Sequence, residues 1–221
     1  ILTTFYTLDS LYAERKDKSI LFWRSLPITD AETVVSKLLT AVFVLPLVTV
    51  AAIIVTHLVN LVITTGWVMV KGGNAAHLIW GSVPLFDNWT AALIVTVASA
   101  VWMSPLIGWF LFVSAFTKRS PLLMAFMPLI IVPIIEWIFF RTKIFASAVF
   151  GRGELIPLFR EMDFEHFFDE ERMKLNEEVV SLLAHIDVGK FLLSPSVWAG
   201  VVVCGLFAAA AIYVRRYRDE S

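Results

Sequence analysis

Four stretches of this chain run for more than twenty residues almost without a charge, and they restrict the fold more than any motif does. They cover 38–70 (33 residues), 88–117 (30 residues), 120–140 (21 residues, with Glu136 as its one charged side chain) and 191–214 (24 residues). A helix crosses roughly 30 Å of hydrocarbon with about 20 apolar residues, so each stretch is long enough to span a bilayer. Ala, Leu, Ile, Val and Phe surround these stretches on all sides, with scattered Gly and Pro and no short-period alternation, which suits helices in lipid and not a β-barrel. Composition agrees: 58% of residues are hydrophobic and 17% charged, against roughly half and a quarter in a soluble domain. The predicted class is therefore all-α, a polytopic transmembrane helical bundle with four spans at about 38–66, 90–117, 121–140 and 191–214. Residues 1–37 precede the spans, 141–190 form a long loop, and 215–221 form a tail.

Charge gives the expected orientation. Four crossings place Arg15, Lys16, Lys18, Arg24, Lys37, Lys118, Arg119, Arg215, Arg216 and Arg218 on one side, whereas the short loop opposite carries only Lys71, so the first side is expected to be cytoplasmic. The loop 141–190 carries more acid than base and is expected outside. With a net charge of -1 the chain has no basic excess with which to hold nucleic acid, and its single cysteine, Cys204, rules out an intrachain disulfide. The chain starts at Ile1 with no basic n-region or cleavage site ahead of the first apolar run. The expectation is a chain without a signal peptide that lacks its native N-terminus.

Two segments outside the spans are amphipathic. In 8–37, Leu8, Leu11 and Tyr12 form a helical stripe, Ile20, Leu21, Phe22, Trp23 and Leu26 form an apolar patch, and Thr29 with Glu32 fits a capping box that starts a new helix near Asp30. Pro46 is expected to kink that helix. In 160–186, apolar residues recur at helical spacing among many acids; His166 has no His or Cys at i+3 or i+4, so no metal site is expected.

The chemistry of soluble catalysis is missing from the sequence. No P-loop, zinc-protease motif, nucleophile elbow or dinucleotide fingerprint occurs, so any ATP is handled by another chain and no cofactor is expected in this one. Glu136 inside a span is a candidate for a translocation or gating role, since an intramembrane acid costs roughly 2.5–3.5 kcal/mol at a helix centre. Pro128 and Pro133 free backbone carbonyls in the same span, and Asn60 is a polar residue in the first. Two alternatives remain beside transport: an intramembrane enzyme using Ser104, His57 or Glu136, and a structural anchor that recruits a partner through 8–37.

The run LDSLYAERKDKSILFWRSLPITDAETVVSKLLTA at 8–41 closely resembles the segment between the second and third spans of bacterial ABC-2 type permeases, which typically read SLY-x-ERKD-[RK]-S-[IVL]-LFW-[KR]-SLP-[VI]-[ST]-D. SAFTKRSPLLMAFMPLIIVPIIEWIFF at 114–140 is similar to the turn between that family's fourth and fifth spans. The resemblance implies that the four spans are the third to sixth of six, with the first and most of the second absent. It also implies a bacterial cytoplasmic (inner) membrane location, a second permease copy or sister permease, and separate ABC ATPase subunits that hold ATP and Mg. In such a transporter Glu14, Arg15, Lys16 and Asp17 would touch the ATPase, with Phe22, Trp23 and Arg24 as the neighbouring surface. The expected function is a non-catalytic permease subunit, and the apolar spans favour export of a hydrophobic or amphipathic substrate.

Overall fold

The computed structural model describes residues 2–19, 22, 27–81, 84–153, 157–158 and 182–217. Among these residues the elements are helices: α1 (Leu2–Lys16), α2 (Asp30–Leu39), α3 (Leu45–Val70), α4 (Leu85–Trp102), α5 (Ser104–Phe116), α6 (Pro121–Phe140), α7 (Ile144–Phe150), α8 (Val188–Leu193) and α9 (Pro195–Tyr217). Four helical runs are long and apolar enough to cross a membrane: Asp30–Val70, Ala76–Trp102, Pro121–Phe140 and Pro195–Tyr217. Large apolar side chains stand exposed on these runs, among them Val62 and Ile63, Leu123 and Phe139, and Val202 and Leu206. Water would disfavour such a surface, and hydrocarbon accommodates it. Most of the segment 160–186, including its acidic faces, lies outside the described residues, as do Trp23 and Arg24.

Prolines set the breaks between helices. The segment expected to form one span over 90–117 is divided at Met103, because Pro105 lacks an N–H and its ring crowds the carbonyl one turn back; α5 restarts with that proline in its first turn. Ser194 separates α8 from α9 ahead of Pro195 in the same way. Pro46 is handled differently. The five residues Thr40–Val44 wind as a π-turn, with the Leu45 N–H bonded to the Thr40 carbonyl, and the helix continues through the proline. At the start of this run the capping box is complete: Thr29 Oγ1 accepts from the Glu32 N–H at 3.2 Å, and the Glu32 carboxylate accepts from the Thr29 N–H at 2.7 Å.

The chain forms two compact units. The first comprises 1–45, 99–156 and 193–221. At its centre is α5, whose buried residues include Ile107, Gly108, Phe110, Leu111, Val113 and Ala115. Burial on so many sides explains why α5 is apolar around its circumference. On one side Leu111 and Ala115 pack with Leu11, Val34, Ala208 and Ala211, joining α1, α2 and α9; on another, Phe110 and Val113 pack with Leu8, Ala125 and Leu129, joining α1 and α6. The second unit comprises 46–98 and 157–192. In it Leu61, Ala75 and Ile79 cluster, and Trp80 donates to Thr65 Oγ1 at 3.1 Å.

Close approach of α5 and α9 depends on a glycine. A Cβ on Gly108 would stand 3.0 Å from both the Cα and the carbonyl oxygen of Cys204, backbone atoms that cannot swing away, whereas one on Gly205 would meet nothing within 4 Å. Small residues serve this purpose in lipid, where apolar burial gives little drive to associate and dispersion between close backbones matters more. Gly108→Val is expected to destabilise the fold by about 1–3 kcal/mol through overpacking, and Gly205→Ala to leave it unchanged; equilibrium unfolding in detergent checks both.

Candidate functional site

A buried ion cluster lies in the first unit where α1, α2 and α9 meet. Arg215, in the last turn of α9, is 7% exposed. Its Nη1 donates to Glu14 Oε2 at 2.7 Å and its Nε to Asp30 Oδ1 at 2.8 Å. The second Glu14 oxygen is 3.1 Å from Lys37 Nζ. Two cations thus face two carboxylates. A buried guanidinium costs several kcal/mol to desolvate, and the cost is offset only when hydrogen-bonded counter-charges surround it. The sequence delivers Arg215 to this position because it ends a stripe of small residues on α9: Gly200, Cys204, Ala208 and Ala211 share the buried face with it.

Beside this cluster α1 grips the end of α5. Ser114 Oγ accepts from the N–H groups of Leu11 and Tyr12 at 3.1 and 3.0 Å. Arg15 Nη2 donates to the carbonyls of Ser114 and Thr117 at 2.5 and 2.8 Å, and Tyr12 Oη donates to the carbonyl of Arg119 at 2.9 Å. The last carbonyls of a helix lack intrahelical donors and carry partial negative charge, so a guanidinium there satisfies both needs.

Glu14, Arg15 and Lys16 at the end of α1, and Asp17 just past it, therefore do not share one direction. Glu14 is buried in the ion cluster and Arg15 is committed to the end of α5, whereas Lys16 and Asp17 are exposed, as is Phe22 beyond them. The translocation candidates are separated along the chain. Asn60 is on α3 in the second unit, where its side-chain amide donates to the Thr56 carbonyl at 3.4 Å. Pro128 and Pro133 lie inside α6, which runs through both without interruption. Glu136 sits near the end of the same helix and accepts from Thr142 Oγ1 at 2.8 Å and from the N–H groups of Ile144, Phe145 and Ala146 at 2.6, 3.0 and 3.4 Å. Its carboxylate caps α7 across a reversal made by Arg141 in the left-handed region, φ 53°. Such a cap fits the electrostatics of a helix start.

The remaining two residues of the enzyme alternative lie in different units. His57 Nδ1 accepts from Trp89 Nε1 at 3.1 Å in the second unit, whereas the Ser104 hydroxyl, at the first residue of α5, is buried and has no hydrogen-bond partner among the described residues. Among the described residues no group of three or more His, Cys, Asp or Glu side chains could hold a metal ion.

Arg152 forms a second polar anchor that the sequence pattern did not single out. Its Nη1 donates to the Trp102 carbonyl at 2.6 Å and its Nη2 to the Ser196 carbonyl at 3.1 Å, while Trp102 Nε1 donates back to the Arg152 carbonyl at 2.9 Å. The guanidinium lies over the Trp102 ring, 4.7 Å from its centroid, and burial lowers its pKa from the ordinary arginine value. A Cβ on Gly200 would stand 2.8 Å from Nη1, so the glycine leaves room for this side chain.

Comparison with protein-family models, curated proteins and solved structures finds no match to this chain.

The ion cluster yields a direct expectation. Arg215→Met leaves Glu14 with Lys37 alone and takes from Asp30 its ion-pair partner, and should destabilise the protein by about 3–5 kcal/mol. Combining it with Glu14→Gln and Asp30→Asn removes the uncompensated charges and should recover part of that loss. Denaturant titration of the variants in detergent measures both, and equal stability of Arg215→Met and the parent would show that the cluster holds nothing.

Proposed function

We propose that this chain is a transmembrane permease subunit of an ATP-driven transporter of the ABC-2 type, exporting a hydrophobic or amphipathic substrate across a bacterial cytoplasmic membrane. Its support in the sequence is the likeness of 8–41 and 114–140 to that family. Its support in the geometry is one observation above all: the segment that would meet an ATPase is fastened to the bundle by a buried ion cluster. Glu14 and Asp30 flank the connection between α1 and α2, and both are held by Arg215 of α9.

A coupling element has to be stiff where it joins the helices it moves and open where it meets its partner. In this reading Glu14 and Arg15 supply the stiffness, because both are engaged within the chain. Contact with the ATPase falls to Lys16, Asp17 and Phe22, which are exposed, and to the adjoining Trp23 and Arg24. ATP and Mg belong to that partner. Closure of two ATPases on ATP would push the connection, shift the bundle against a second permease copy or sister permease, and open a path between them; hydrolysis would reset it. The chain converts motion and performs no bond chemistry.

The test is affinity purification of the full-length protein from detergent. An ATPase subunit should accompany the parent protein. Lys16→Glu with Asp17→Lys should remove it, while leaving thermal stability unchanged because both side chains are exposed. If no ATPase accompanies the intact parent, the transport reading fails at its centre.

A further inference from the structure

Where α4 gives way to α5, the first unit buries a hydroxyl that the chain itself does not use. Ser104, the first residue of α5, is 5% exposed, and its Oγ has no hydrogen-bond partner among the described residues. Buried polar atoms are paired almost throughout folded proteins, so this one calls for a partner from outside the chain. The hydroxyl stands at the start of a 13-residue helix, where the backbone dipole favours negative charge.

Helix register brings a cation to the same level. Gly108 of α5 lies against Cys204 of α9, and further along Leu111 and Ala115 pack with Ala208 and Ala211, so the two helices run in the same direction. One turn back from that contact stand Ser104 on α5 and Gly200 on α9. A Cβ on Gly200 would be 2.8 and 2.9 Å from the two terminal nitrogens of Arg152, so the guanidinium occupies the room that a side chain at 200 would take, beside the level of Ser104. A guanidinium has five N–H groups. The Trp102 and Ser196 carbonyls take one each, and among the described residues no carboxylate pairs with Arg152. Arg215 at the other end of α9 is met by Glu14 and Asp30. Carbonyls satisfy N–H groups but leave a positive charge uncompensated, and a half-buried cation in an apolar bundle favours a counter-ion.

We infer that the break between α4 and α5 binds an oxyanion, a phosphate or a carboxylate, between the Arg152 guanidinium and the Ser104 hydroxyl. The planar fork of Arg152 suits two oxygens of such a group, and the hydroxyl donates to a third or shares one of them. Two sources carry this chemistry, a dissolved phosphate ion and the head of a phospholipid. Along α9, Gly200 stands roughly 22 Å from Arg215 at 1.5 Å per residue. In a hydrocarbon layer of roughly 30 Å the site therefore lies toward the leaflet opposite the Arg215 cluster, where a headgroup can approach it. The inference makes no use of the transport reading.

Binding is measured on the full-length protein in dodecyl maltoside, a detergent without charge or phosphate, in two arms. One follows radiolabelled inorganic phosphate by equilibrium dialysis, and the other follows phosphatidylglycerol by native mass spectrometry. Saturable binding is expected in at least one arm; phosphate without the lipid marks a free-ion site, and the lipid with or without phosphate a headgroup site. Ser104→Ala should weaken that binding by about tenfold, the equivalent of one hydrogen bond to a charged group. The same variant should leave the unfolding midpoint in anion-free detergent unchanged or higher, because the hydroxyl gives up no partner within the chain. Arg152→Gln should abolish saturation. Binding in neither arm, affinity unchanged by either substitution, or a lower midpoint for Ser104→Ala without anion would each overturn the proposal. No ATPase takes part in the assay, so its failure and the failure of the transport reading are told apart.

Discussion

Arg215 is the constraint on which the first unit turns. An arginine placed on the packing stripe of an apolar helix cannot be turned outward without pulling that stripe from α5, and it cannot stay inside alone. The two carboxylates that neutralise it come from 201 and 185 residues away in sequence. They fix where the end of α1 and the start of α2 lie, and Glu14, once placed, also orders Lys37. The apolar contacts of Leu11, Val34 and Ala211 surround the same junction. Apolar contacts alone would allow these helices to slide, since one methyl group exchanges for another at little cost in lipid; directed hydrogen bonds between ions do not.

Much of the helical architecture was legible because length and charge density respond to local sequence. The apolar runs anticipated four long helices and located three of them, whereas the second runs over Ala76–Trp102 and not over 90–117; Thr29 with Glu32 marked the start of α2. Prolines were legible as punctuation but not in their outcome. Pro105 breaks a helix, Pro46 is absorbed by a π-turn, and Pro128 and Pro133 pass within a continuous α6. The difference lies partly in what receives the freed backbone groups. At the break before Pro105 the Trp102 carbonyl is taken by Arg152, fifty residues further on, and no periodicity in either segment announces that pairing.

Charged residues were legible by count and not by direction. Glu14 to Asp17 read as one charged surface, yet consecutive residues on a helix point about 100° apart, so a four-residue run must visit every side. Two of the four meet α9 and α5 and two do not. Arg215 read as part of a basic tail beside Arg216, although the spacing Gly200, Cys204, Ala208, Ala211, Arg215 already carried it on one face. Glu136 shows the same limit from the other side. Its place in an apolar run drew attention to it, but the cap it provides for α7 depends on the reversal at Arg141, which is a property of backbone geometry.

The two polar assemblies of the first unit sit on α9 at opposite ends. Arg152 reaches the carbonyl of Ser196 at its beginning, and Glu14 and Asp30 reach Arg215 at its finish. Between them the helix presents Gly200, Cys204 and Ala208, whose small side chains allow close packing but offer little resistance to shear along the axis. If the chain works as proposed, a push at the junction of α1 and α2 acts on one end of α9, and the Arg152 guanidinium, anchored on the Trp102 ring and carbonyl, joins the other end of α9 to the break between α4 and α5.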